Sequence, residues 1–306
     1  MLGPVPYAGR CGVAESDIPV LAQAVLSAWD AFLEVARSAD LSRPSRLPGW
    51  SGADACIHLG DWDDHRVLAG LEANARKGPD DTVHDPDESN ARLVAAHRGD
   101  STDEVLAALQ RSRDALATWF AGPGPHELGR ATCGSAVGPL PLLGLVHAGT
   151  YELAVHALDL GPCGAAAPPA ALLDRGLAAL LDVTGALSAR AGIDITVTAQ
   201  ASGGGWAFTS GPAGWTTAPV AAGRFAGVGV RGSAADLLDA SAGRAALPLL
   251  LVSRRLVVQQ LPSFMRLAPL LSEVPGLPGG AALRAGVSGL GSVTGGVGRL
   301  WGRLRG

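Results

Sequence analysis

Lysine is almost absent from this chain. Lys77 is the only one in 306 residues, so arginine carries nearly all the positive charge, and the net charge of −4 offers no basic footprint for nucleic acid. The bias toward arginine, alanine and glycine suggests a high-GC, actinobacterial source. Cysteine is scarce too. Cys11, Cys56, Cys133 and Cys163 form no Cys-x-x-Cys pair, which gives no support to a zinc ribbon or a dithiol redox motif and leaves reduced thiols as the expectation. Cys56 reads as a small core residue. No basic start followed by an apolar stretch stands at the N-terminus, and the most apolar later run, residues 245–252, stops at Ser253-Arg254-Arg255. Neither has the features of a leader or a membrane span. The expectations are a cytoplasmic protein acting on a small molecule, with no nucleic-acid partner and no integral membrane segment; the oligomeric state is not fixed by the sequence.

What the chain does have is apolar material, 47% of its residues, ample for two cores at this length. Over residues 18–39, Leu21, Val25, Leu26, Trp29, Phe32 and Leu33 recur at helical spacing and predict an amphipathic helix. Pro44 and Pro48-Gly49 break the chain before Ser51, which with Asp54 forms a loose capping box and opens a second helix expected to reach about Arg76. Residues 77–90 read as an exposed acidic loop. Ser101-Thr-Asp-Glu104 opens a third helix that ends at Gly122-Pro-Gly-Pro, and a fourth starts near Pro141 and stops at Gly161-Pro162. After Ala167-Pro168-Pro169 the pattern changes to a helix over 172–191, strand patterns at 194–199, 206–210 and 227–231, and a short helix capped by Ser233. The fold class is therefore α+β, divided into a four-helix bundle over 1–165, a smaller α+β unit over 166–261 and a Gly/Arg-rich tail over 262–306.

Two separated segments carry the chemistry. In Tyr151-Glu-Leu-Ala-Val-His156, Glu152 and His156 stand four residues apart, one turn along a helix and on one face. The segment from Leu47 through Trp50 to His58 supplies a second histidine on the helix that Ser51 opens. Two histidines and a carboxylate suit zinc or a similar divalent ion, and three protein ligands leave a position open for chemistry. Spacing alone is a weak signal, because Glu-x-x-x-His recurs on many helices. On the expected helix His65 falls on the face of His58 but about 10 Å along the axis, too far to share a metal. His147 falls off the face of Glu152 and His156. Asp61 and Asp159 are candidates to orient a ligating imidazole, Asp159 the better placed.

The string Pro48-Gly-Trp-Ser, His58-Leu and Glu152-x-x-x-His156-x-x-Asp159 resembles the mycothiol-dependent maleylpyruvate isomerase family, and the segment from Gly232 to Arg244 resembles that family's smaller C-terminal domain. The resemblance implies a DinB-like four-helix bundle followed by a sterol-carrier-like domain. It implies zinc on His58, Glu152 and His156, and mycothiol as the thiol cofactor. The implied reaction is addition of a thiolate to an electron-poor conjugated carbon, rotation about the former double bond and departure of the thiol; without that departure the outcome is thiol transfer. A substrate carboxylate or enolate oxygen calls for a cation, for which Arg92 and Arg244 are the candidates. The chain departs from the family after Arg244, where a short Gly-Asp turn is expected and missing. Two other readings stand beside this one, a non-enzymatic carrier of an apolar ligand and a thiol-independent metal hydrolase. In the tail no acid follows Glu273, and Leu300-Trp301 between arginines has an amphipathic character, consistent with a membrane-surface or partner-binding tail or with a poorly ordered terminus.

Overall fold

The computed structural model describes residues 4–78, 86–223, 225 and 227–270. Their helices are α1 (Ile18–Ser38), α2 (Gly52–Ile57), α3 (Val67–Lys77), α4 (Pro86–His97), α5 (Thr102–Ala121), α6 (Gly124–Leu128), α7 (Leu142–Asp159), α8 (Ala170–Arg190), α9 (Ala234–Ser241), α10 (Leu247–Val252) and α11 (Leu261–Phe264). Strands are β1 (Arg10–Cys11), β2 (Thr132–Cys133), β3 (Leu140–Pro141), β4 (Ile195–Ala201), β5 (Gly204–Gly211), β6 (Gly214–Val220), β7 (Val228–Arg231) and β8 (Val257–Gln259). The class is α+β.

Helices α1, α5 and α7 pack together and make the core of the helical half. Although α1 is long and apolar enough to cross a membrane by composition, its Val25, Phe32, Leu33 and Ala36 are buried in that core. The second half is a sheet in the order β1-β6-β5-β4-β7-β8, in which β4, β5 and β6 form an antiparallel meander and β7 joins β4 in parallel. Its first strand comes from the other end of the chain: β1 pairs in parallel with β6, Cys11 against Trp215.

Helix α8 joins the halves. Gly176 lies so close to α7 that a Cβ there would stand 2.4 Å from Ala154 Cβ, while a Cβ on Gly185 would meet Trp215 Cδ1 at 2.8 Å. Nine residues separate the two glycines, two and a half turns, so they sit on opposite faces of the helix, one against α7 and one against the sheet. One core runs through this contact, because Leu172, Ala186, Trp215 and Leu238 pack in the same buried cluster as Phe32 and Leu153.

Two expectations for the helical half change. The helix expected from Ser51 to Arg76 is two helices, α2 and α3, with a turn over 58–66 between them. Trp62 Nε1 donates to the Ile57 carbonyl at 2.8 Å, which satisfies the end of α2, and Gly60 faces Ala108 at a distance with no room for a side chain. The loop expected over 77–90 gives way to α4 from Pro86 onward, because proline fits the first turn of a helix; residues 79–85 lie outside the described set. Beyond the expected elements the sheet gains β1, β6 and β8, and α10 and α11 follow α9. Most of the tail, residues 271–306, lies outside the described residues.

Candidate metal centre

Helix α2 is short, and its start is fixed locally. Ser51 Oγ accepts from Asp54 N at 3.1 Å and the Asp54 carboxylate accepts from Ser51 N at 2.9 Å, the reciprocal box expected from the sequence. Arg98 donates to both Asp54 oxygens and ties the box to the chain after α4. Seven residues after Ser51, His58 occupies the C-cap, and its Nδ1 is buried with no hydrogen-bond partner.

Helix α7 brings the other two groups to the same place. His156 Nε2 lies 3.4 Å from Glu152 Oε2, and the His58 and His156 rings meet edge to face with centroids 4.5 Å apart. Ligand atoms of His58, Glu152 and His156 all fall within 4.8 Å of one another. Two ligands of a tetrahedral zinc, each at about 2.0–2.1 Å from the ion, stand about 3.4 Å apart. The donor set, the spacing and the orphaned His58 nitrogen fit such an ion.

The side of His156 away from Glu152 faces Asp159. Its Nδ1 stands 3.0 Å from Asp159 Oδ2, a close contact whose angle falls short of a hydrogen bond, and Asp159 has no exposed surface. Arg244, 85 residues on, donates to the same carboxylate through Nε at 3.0 Å and Nη2 at 3.1 Å, and through Nη1 to the Ala242 carbonyl at 3.2 Å. Arg46 and Asp239 make a second bidentate pair between the halves, at 3.0 Å for both bonds.

Burial and neighbouring charges together set the protonation of these groups, and they act in opposite directions on all but His58. His58 is pushed down to about 3, first by burial and then by the charge of His156. Burial lowers His156 as well, but the Asp159 and Glu152 carboxylates outweigh it and leave the group raised. For Glu152 and Asp159 burial acts upward and is outweighed by His156, with Arg244 adding to the effect, so both stay below the usual carboxylate range.

The three groups open onto a cavity of about 720 Å³ between α1, α3, α4, α5 and α7. Its wall is mainly apolar, with Trp29, Trp50, Leu68, Leu116 and Val146 prominent, and Trp50 lies edge-on to His58. Glu152, with 49% of its side chain exposed, faces this space.

Of the remaining residues singled out in the sequence, Arg244 lines the cavity, with its fork engaged by Asp159. Arg92 is exposed on α4, where Asn90 and Ala91 line the cavity instead. His65 is not on the helix of His58 at all. It pairs with Trp62 across the turn and still reaches the cavity wall, as does Asp61. His147 is buried on α7 outside the cluster of His58, Glu152 and His156, held down to about 4 by burial and by Arg175. Cys56 is fully buried, its thiol pushed upward by burial. Sequence reading missed the ion pair between Asp159 and Arg244, which local spacing cannot signal, and the place of Trp50 against His58, for which the Gly-Trp turn was the available cue.

A family model for the mycothiol maleylpyruvate isomerase N-terminal domain matches residues 22–161. That stretch is similar to such a domain. Its residues include all three clustered candidate ligands and Asp159, while Arg244 comes from beyond them. Two solved structures of the mycothiol-dependent maleylpyruvate isomerase are similar to the chain, a histidine-to-alanine mutant at 20% identity and the enzyme itself at 17%. Each comparison covers 77% of this chain and 93% of the other, with a TM-score of 0.46. Among curated proteins nothing matches.

Proposed function

We propose that this protein is an enzyme that uses a divalent metal, zinc by donor chemistry, and the thiol of mycothiol to isomerise an electron-poor conjugated double bond or to transfer the thiol to it. The observation that carries this reading is the convergence of His58, Glu152 and His156 on one cavity within a mycothiol maleylpyruvate isomerase N-terminal domain. When bound, the metal supplies a Lewis acid that holds a thiol sulfur as its reactive thiolate.

The rest of the work falls to the chain. His58 is neutral at physiological pH, as a ligating imidazole has to be, and Glu152 contributes negative charge. Asp159 fixes the ring of His156 from its far side and is itself held by Arg244. The apolar wall excludes water and takes the carbon skeleton of the substrate, so its reactive carbon meets the thiol in a site of low dielectric. Arg244 is assigned the negative charge that develops on a substrate oxygen, because it is the guanidinium that lines the cavity among the described residues. Arg92, exposed on α4, is assigned no part in it. The protein is taken to work in the cytoplasm.

Metal content per chain, measured on wild type and on Glu152→Ala purified in parallel, tests the proposal. About one zinc per chain that falls in the variant supports it. Wild type that stays metal-free after reconstitution refutes it and favours the apolar-ligand carrier. With metal in place, turnover should require added thiol; turnover without any thiol points to a hydrolase.

A further inference from the structure

Charge is divided unevenly along the chain. Residues 240–306 carry eight arginines against the single acid Glu273, a net of +7, whereas residues 1–239 carry 16 basic against 27 acidic residues, a net of −11. Four of these arginines, Arg244, Arg254, Arg255 and Arg266, lie among the described residues, a local excess that a net charge of −4 conceals.

Exposed apolar surface gathers at the same end. Seven large apolar side chains are exposed among the described residues, and four of them, Leu249, Val252, Val257 and Leu261, lie within 13 consecutive positions. Helix α10 buries Leu250 and turns Leu249 and Val252 outward, one turn apart, at 70% and 84% exposure. Val257 lies on β8, the last strand of the sheet, and shares a shallow depression with Leu261 and Arg254. Arg254 and Arg266 are exposed without an ion pair among the described residues, and Arg255, paired with Asp236, still exposes 61% of its side chain.

We propose that this face, α10 with β8 and α11, docks on an anionic lipid surface. Exposed aliphatic side chains, with Arg254 beside Val257 and Leu261 and with Arg255 and Arg266 exposed nearby in sequence, match the two parts of that surface, acyl chains below and phosphates above. The acidic remainder of the molecule is repelled by the same lipid and turns the basic face toward it. A nucleic acid would use the arginines but not the aliphatic pair, since no exposed aromatic ring is offered to bases within this patch. Residues 271–306, which follow in the sequence, carry four more arginines against Glu273.

Vesicle co-sedimentation of the full chain tests the proposal. Phosphatidylcholine vesicles with about one-third phosphatidylglycerol should bind it at least about tenfold more strongly than pure phosphatidylcholine, and about 0.5 M salt should remove the difference. Leu249→Glu with Val252→Glu should lower that partitioning about tenfold with the thermal transition unchanged, and Arg254→Glu with Arg266→Glu should lower it as well. Equal binding to both kinds of vesicle, no binding to either, or undiminished binding by the Leu249/Val252 variant overturns the proposal, as does equally tight binding to soluble heparin.

Discussion

Asp159 is the residue on which the site and the interface between the halves both depend. It is fully buried, touches His156 on one side and takes the Arg244 fork on the other. Asp159→Asn keeps the shape and removes the charge. It should cost about 3–5 kcal/mol by leaving a guanidinium unpaired in the interior, and should lower zinc affinity about 10–100-fold by freeing the His156 ring. Competition against a chromogenic chelator, with a melting curve alongside, separates the two effects. Asp182 makes a contrasting case. Its Oδ1 accepts from Val13 N at 3.1 Å, Trp215 Nε1 at 2.9 Å and Thr217 Oγ1 at 2.6 Å, yet burial still raises it to about 6. Between the unfolded value near 3.9 and about 6, the folded chain holds a proton that the unfolded chain has released. Stability should therefore fall as pH rises through that window, by about 2–3 kcal/mol in all, and then level off. In Asp182→Asn the fall should disappear from denaturant titrations run from pH 4 to pH 7, and a persistent slope would refute the assignment. The candidate ligands could be picked out in the sequence because the spacing of Glu152 and His156 and the capping box before His58 are local patterns, to which the family resemblance gave weight. Asp182 was not, since its partners come from both ends of the chain.

At the scale of elements, helices read well and their interruptions did not. The periodicity that marks α1, α5, α7 and α8 survives in the structure nearly to the residue. Between α2 and α3 no proline marks a break, but the Trp62 indole caps α2 and the close approach of Gly60 to Ala108 replaces the helix with a turn. The first is a local side-chain contact and the second a tertiary one, and neither is visible in propensity. Strand β6 was missed because its glycine and proline weaken a strand pattern, and β1 because two residues carry no pattern. Ser51→Ala should destabilise the chain by about 1 kcal/mol through loss of its cap. The same change should weaken zinc binding, since His58 stands on the other end of that short helix; unchanged metal affinity would show that the turn, not the cap, fixes His58. Gly176→Ala sets helix propensity against space. Propensity favours alanine by about 1 kcal/mol, but a Cβ 2.4 Å from Ala154 forces α7 and α8 apart, and overpacking of that kind costs about 1–3 kcal/mol. The balance should be a lower melting temperature.

For the molecule as a whole, the stretch that the family model matches is not the stretch that folds together. Residues 22–161 share one core with Leu172, Ala186 and Trp215, and β1 lies in the sheet of the other half. A fragment of residues 1–165 lacks Arg244, which neutralises Asp159, and Trp215, which closes the core beside Tyr7. We expect that fragment to show no cooperative thermal transition; a reversible one with intact near-ultraviolet circular dichroism would establish independence. Zinc should raise the melting temperature of the full chain in proportion to the logarithm of its concentration, and a chelator should reverse the rise.

The four cysteines complete the picture at this scale. Cys11, Cys56, Cys133 and Cys163 are all free and buried. Burial raises every one, Cys11 and Cys133 to about 11. A protonated, enclosed thiol neither attacks an electrophile nor exchanges with a disulfide. A thiol reagent should find no reactive group in the native chain and four in denaturant. A protein proposed to bring an electrophile and a soluble thiol together thus has its own sulfur out of reach, so it is spared alkylation by its substrate and mixed-disulfide capture of its cofactor.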